Sequence, residues 1–239
     1  IFNNEYKTLD EKLNEDGKLE LINISSKEGM KIYIRTLTYI MGMAFWKLYP
    51  EAHVTVNYQL SNAMYCNLEN MEITEEMLSN LEKEMKRIVG EDLKIEKNVM
   101  SRKEAEKFYE ENNTGKGRLQ LDLITNDKIN MYYCDDYFNY FYGVIATHTG
   151  VAKIFELKKY YKGFLLRYPS SAEPLKLPEF KETKKLLWAL HEYETIYKVL
   201  NVGTVYRLNK TVKENKIKEL ILLSEALHEK KIAQIADKI

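Results

Sequence analysis

The chain has 239 residues, and its 36 Lys and Arg balance 36 Asp and Glu. Hydrophobic residues are 45% and aromatics 12%, with 18 tyrosines, which excludes an intrinsically disordered chain. Two cysteines, Cys66 and Cys134, exclude a secreted disulfide framework. The stretch without Asp, Glu, Lys or Arg at residues 137–152 is too short and too polar for a bilayer, which takes about 20 apolar residues. No signal peptide is visible, so composition alone reads as a soluble, cytoplasmic protein. At about 150 residues per domain it has one or two domains.

Residues 1–9 and 18–24 alternate like two short strands around the turn-prone Asn14-Glu-Asp-Gly17. Two strands are too few for a domain, so they read as the second half of a small sheet domain. A long helix follows. Ser25-Ser-Lys-Glu28 has the form of a capping box, and Met30, Ile34, Leu37, Met41, Ala44, Phe45 and Leu48 recur at helical spacing until Pro50. Residues 53–58 and 63–68 read as paired strands. Thr74 caps a helix that Gly90 ends, and residues 93–99 read as a strand. Ser101-Arg-Lys-Glu104 is a second capping box, opening a helix to about Asn112.

Residues 119–124 and 129–134 read as strands paired around Thr125-Asn-Asp-Lys128, with more strand through Phe155 and over 161–168. Pro169, Pro174 and Pro178 mark a loop. From about Glu179 the pattern is helical, interrupted at Gly203. The last stretch ends without Gly, Asn or Pro, and residue 1 is Ile, so both ends read as cut. The expectation is a piece of a longer protein, with a domain missing after Ile239. The fold class is α+β: an antiparallel sheet packed on a long helix, then a helical C-terminal segment.

Charge is uneven, with 18 basic and 25 acidic side chains in residues 1–150 and 18 basic and 11 acidic in 151–239. A basic second half facing nucleic acid and two ordinary solvated faces both fit this balance.

The chemical motifs are few. Thr114-Gly-Lys-Gly-Arg118 fails as a phosphate-binding loop: the position five before Gly115 is Glu110 and Lys116 is followed by Gly. His53, His148, His191 and His228 form no pair at helical spacing, and no C-x-x-C occurs, so no metal is expected. Cys134 and His148 could meet across a hairpin, but two ligands do not make a zinc site. Asp135 and Asp136, if on a strand, point to opposite faces. Residues 132–142 hold seven aromatics in eleven positions. They read either as a core hairpin on the long helix or as a ligand-lined cleft in which rings stack bases.

Arg35-Thr-Leu-Thr-Tyr-Ile-Met-Gly-Met-Ala-Phe-Trp-Lys-Leu-Tyr-Pro50 resembles the opening of the second additional domain of threonyl-tRNA synthetase, also found in alanyl-tRNA synthetase. Tyr133 through Thr149-Gly150 resembles the later segment that carries C-x-x-x-H and ends in Thr-Gly. The match covers roughly residues 26–170, and the strands before it are similar to the end of a TGS domain. The resemblance divides the chain into 1–25, a TGS-like remnant; 26–175, the synthetase-like domain; and 176–239, a helical segment. In synthetases this domain hydrolyses mischarged tRNA, and the residues of H-x-x-x-H and C-x-x-x-H line its pocket. Here those positions fall on Arg35, Tyr39, Phe141 and Ile145. None of the four can act as a general base at neutral pH, so the resemblance implies a retained fold, no catalytic residue and only possible ligand contacts.

Residues 26–37, 140–143, 163–169 and, most specifically, 226–239 resemble bacterial uridine kinase/phosphoribulokinase-like nucleoside kinases that carry a TGS and a synthetase-like domain ahead of the kinase. This resemblance implies a bacterial, cytoplasmic accessory region whose partner is its own C-terminal kinase domain. That missing domain would use ATP and Mg²⁺ as a transferase, with no cofactor in the present chain. The alternative is an RNA- or tRNA-binding module derived from an editing domain with hydrolysis lost. A third reading is a trans-editing hydrolase with a rebuilt site. A nucleotide or RNA ligand is implied as partner, and a membrane is not.

Overall fold

The computed structural model describes residues 1–112, 121–124, 126–182 and 184–238. The backbone separates two compact units, Ile1–Ala105 with Lys128–Lys181 and Glu106–Asp127 with Glu182–Ile239.

The first unit is built on α1 (Lys27–Leu48). Its N-cap is Ser26, one residue later than the Ser25–Glu28 box would place it: the Ser26 hydroxyl accepts from the Gly29 N–H at 3.0 Å. The Asn23 carbonyl sets this register by accepting both the N–H and the hydroxyl of Ser26. Only glycine fits at 29, where a Cβ would lie 1.9 Å from the Asn23 oxygen. Residues 1–24 do not form the two expected strands. Asn3 and Asn4 take left-handed backbone angles (φ 47° and 67°), which breaks the extended run and leaves isolated bridges from Phe2 to Glu5 and Leu19.

Two antiparallel sheets share the core with α1. The four-stranded one joins β1 (Val54–Gln59), β2 (Ala63–Leu68), β6 (Glu156–Tyr160) and β7 (Gly163–Arg167) in the order β1-β2-β7-β6. The three-stranded one is β3 (Glu96–Ser101), β4 (Lys128–Cys134) and β5 (Tyr137–Tyr140) in that order. Between β2 and β3 lies α2 (Glu75–Glu91), whose cap Thr74 accepts from the Met77 N–H at 3.1 Å. Gly90 stands inside its last turn, and Asp92 makes the left-handed exit instead. Leu37, Tyr39, Ile40 and Met41 of α1 are fully buried among Leu81, Met85 and Ile88 of α2 and the inner residues of both sheets, Cys66, Phe164, Tyr132 and Tyr137.

The second capping box forms in both directions. Ser101 N–H donates to Glu104 Oε2 at 2.7 Å and Glu104 N–H to Ser101 Oγ at 3.3 Å, at the start of α3 (Arg102–Glu111). The expected pairing of 119–124 with 129–134 is corrected. Leu121 to Ile124 make a turn closed by Ile124 N–H to Leu121 O, and β4 pairs with β3 and β5. The Thr114–Arg118 loop lies outside the described residues. Asp135 and Asp136 are the exposed turn of the β4–β5 hairpin, with Asp135 left-handed, rather than strand residues.

The C-terminal helices are α4 (Lys184–Val199), α5 (Val205–Lys213) and α6 (Ile217–Ala236). The break at Gly203 is present, and a second one around the left-handed Asn215 was not legible as a stop. No described side chain of these three helices is buried. The architecture is α+β, with antiparallel sheets on a long helix followed by a helical segment. No described helix is long and apolar enough to cross a membrane.

Candidate functional site

The segment after β5 runs beside α1 with no sheet ladder of its own. This corrects the expectation of continuous strand through Phe155. Several of its backbone groups are met by side chains of the helix, while Thr147 and Thr149 bond the backbone of Ile95 and Leu93. Ala146 N–H donates to Thr36 Oγ1 at 2.9 Å, while that hydroxyl donates to the Ile32 carbonyl at 2.8 Å. One turn earlier, the Tyr33 hydroxyl donates to the Ile154 carbonyl at 2.7 Å and accepts from the Ile154 N–H at 2.9 Å. Rising residue numbers along the segment thus meet falling numbers along the helix. Thr149-Gly150 docks on the end of α2: Thr149 Oγ1 donates to Ile88 O at 2.8 Å, and Asp92 accepts the Gly150 N–H at 3.0 Å.

Arg35 and Tyr39 stand one helical turn apart on the face that meets this segment. Tyr39 is fully buried; its hydroxyl donates towards the carbonyls of Tyr132 (3.2 Å) and Tyr137 (3.3 Å). Its ring packs edge-on against Tyr137 and Phe141, with centroids 5.1 and 5.9 Å away. Ile145 is buried in the same core. The two inner positions and Phe141 therefore fill the space between helix and segment with close-packed rings and methyls.

Arg35 occupies the outer end. Its guanidinium lies flat against Gly143, where a Cβ would sit 2.6 Å from Cζ, and Nη1 reaches the Val144 carbonyl at 3.5 Å. The Tyr132 hydroxyl donates to the Gly143 carbonyl at 3.1 Å beside it. Arg35 is half-buried, and among the described residues no carboxylate lies within ion-pair distance of it. Asp136 is exposed in the hairpin turn.

The four positions supply no imidazole, carboxylate or thiol. The Tyr39 proton is directed at two backbone carbonyls, away from any water it could activate. Burial pushes the Cys134 thiol up to about 11, with Asp135 adding to the shift, so it is protonated and unreactive at neutral pH. His148 is exposed at a bridge to Lys94, and Cys134 is buried opposite Tyr137. Among the described residues no three of His, Cys, Asp and Glu gather to hold a metal ion.

The aromatic run splits between the two roles open to it. Tyr132 and Tyr137 face α1 in the core, and Trp46 of α1 lies 5.9 Å from Tyr137. Tyr133 and Phe138 pair at 6.2 Å, half-buried, and Tyr142 is 77% exposed. Sequence reasoning missed Thr36 and Gly143. A threonine on the apolar face of a helix is the signal for the first, since it must bond a carbonyl one turn back or a neighbour. Gly143 carries no such signal, because its need for no side chain arises from Arg35, far away in sequence.

No family model matches the chain. It is similar to threonine–tRNA ligases. That of Fusobacterium nucleatum is 32% identical over 149 residues, covering 61% of this chain and 24% of the ligase. That of Caldanaerobacter subterraneus is 29% identical over 168 residues, covering 68% and 26%. That of Chlamydia caviae is 26% identical over 196 residues, covering 81% and 31%. The chain spans about a quarter of the length of the curated relatives it matches. This similarity to synthetases bears out the synthetase-like part of the sequence reading and overturns the uridine kinase/phosphoribulokinase-like parent. The stretch that carried the kinase reading most specifically, residues 226–239, forms the end of α6 in its described part. That helix has no buried residue, and its mix of apolar and charged positions suits many unrelated helices.

Proposed function

We propose that this chain is an RNA-binding module, with tRNA the ligand of choice, derived from a synthetase editing domain that has lost hydrolysis. The observation that carries the reading is the division of the cleft. Its inner positions, Tyr39 and Ile145, are packed shut, while its outer position holds a half-buried guanidinium that meets no carboxylate among the described residues. A filled inner pocket has no room for an aminoacyl group and no base to activate water. The outer guanidinium, planar and permanently charged, suits a phosphate with rings nearby. The similarity to proteins named as tRNA ligases supplies the ligand class. The experiment is a fluorescence-anisotropy titration of labelled tRNA at several salt concentrations, on the original chain and on Arg35→Ala. The original binds with affinity that falls as salt rises, and Arg35→Ala binds more weakly with a shallower slope, by about one counterion. Equal binding by both proteins would remove Arg35 from the reading, and no binding by either would overturn it.

A further inference from the structure

A strap from the N-terminal segment lies against the outer end of the cleft. The N–H and hydroxyl of Thr8 both donate to Glu11 Oε1 at 3.2 Å, which fixes the strap's turn. The same Oε1 accepts from Lys97 Nζ at 2.9 Å, and Oε2 lies 3.9 Å from Lys7 Nζ. Lys97 of β3 stands directly opposite Tyr132 of β4, so the two side chains leave the sheet side by side on one face. Tyr132 in turn reaches the Gly143 carbonyl, and Gly143 underlies the Arg35 guanidinium. Lys97 and Arg35 are thus linked through the buried Tyr132, which pairs with Lys97 across the sheet and is tied by its hydroxyl to Gly143. The carboxylate seated on the Lys97 end comes from the N-terminal segment, 86 residues away in sequence. Burial raises the Tyr132 phenol to about 12, with Glu11 pushing it further up and Arg35 pulling it down, as both charges standing near its ring require.

We propose that residues 7–11 are a latch over the outer cleft, in which Glu11 holds the place of an RNA phosphate on Lys97 until the phosphodiester displaces it. The proposal rests on the RNA-binding reading above and deepens it. The bound backbone would run from Lys97 to Arg35, one phosphate on each cation, above the buried Tyr132. The latch is suited to exchange because its ion pair is partly exposed, and such pairs are weak in water. A phosphate offers more acceptor oxygens than the carboxylate it replaces, and charge-assisted bonds to it are the stronger kind.

The test uses the full chain with Glu11→Gln, which keeps the shape and removes the charge, and Lys97→Gln, which removes the receptor. Hydrogen exchange followed by mass spectrometry reads the strap without RNA, and anisotropy reads tRNA binding. In Glu11→Gln the amides of residues 7–12 should exchange about two- to fivefold faster, the worth of a partly exposed pair, and tRNA should bind tighter by the same factor. Lys97→Gln should loosen the strap equally but weaken binding. Unchanged strap exchange in Glu11→Gln overturns the latch, and so does faster exchange with unchanged affinity. If none of the proteins binds tRNA, the RNA reading itself fails and the latch's role as an RNA gate fails with it. That result is told apart from a failed latch because the original chain is silent too.

Discussion

The two units solve the problem of an apolar helix face differently. In the first, α1 buries Leu37, Tyr39 and Ile40 completely between a second helix and two sheets. In the second, α4 to α6 have the same mix of Leu, Ile, Val and aromatic residues, yet Trp188 is 81% exposed and none of the described side chains of these three helices is buried. Periodicity makes a helix in both cases, but only tertiary packing converts it into stability, because isolated helices are marginal in water. Around Tyr39, Phe141 and Ile145 the packing is dense, with rings and methyls in contact.

The largest test of this contrast is a matched truncation. Leu37→Ala should cost the first unit about 2–5 kcal/mol in denaturant unfolding, through lost burial plus a cavity. Leu222→Ala on α6, 66% exposed, should change stability by less than about 0.5 kcal/mol. Similar costs at both positions would mean that α6 buries the face it presents.

A middle-sized effect separates filling from chemistry inside the first unit. Tyr39→Phe keeps the ring contacts with Tyr137 and Phe141 but deprives two buried carbonyls of a donor. It should cost about 1–2 kcal/mol, as groups left unsatisfied in a dry interior do. A neutral result in thermal unfolding would show that those carbonyls find other donors.

The smallest concerns the caps. Ser26→Ala removes the acceptor for Gly29 N–H and should lower global stability by about 1 kcal/mol, since α1 is the spine of its unit. Thr204→Ala removes the acceptor for Arg207 N–H at the start of α5. Its effect should be confined to faster hydrogen exchange over residues 205–213, with no change in the main unfolding transition. A global shift from Thr204→Ala would tie the helices more firmly together than their exposure allows.

Much of this was legible in the sequence, for reasons that differ by element. The face of α1 follows from its apolar spacing, and the Ser101–Glu104 box follows from four adjacent residues. The residues at 35, 39, 141 and 145 left a packed core and a ligand-lined cleft both open. Features set by distant partners could not be read. The cap moved from Ser25 to Ser26 because the Asn23 carbonyl turns the chain there. The stretch after Tyr140 reads as strand by its apolar content but finds its donors and acceptors on α1. Neither the strap on Lys97 nor the contact of Arg35 with Gly143 leaves a local mark, because each joins segments more than eighty residues apart.

The central claim is that the cleft keeps its place in the fold and has lost its chemistry. The most direct measurement is single-turnover deacylation of a mischarged tRNA, run with the chain in excess and with binding followed in the same reaction. The account predicts tRNA bound to the chain and amino acid released no faster than in buffer alone. Release that rises with the amount of chain, and is lost in Tyr39→Phe or Arg35→Ala, would contradict it.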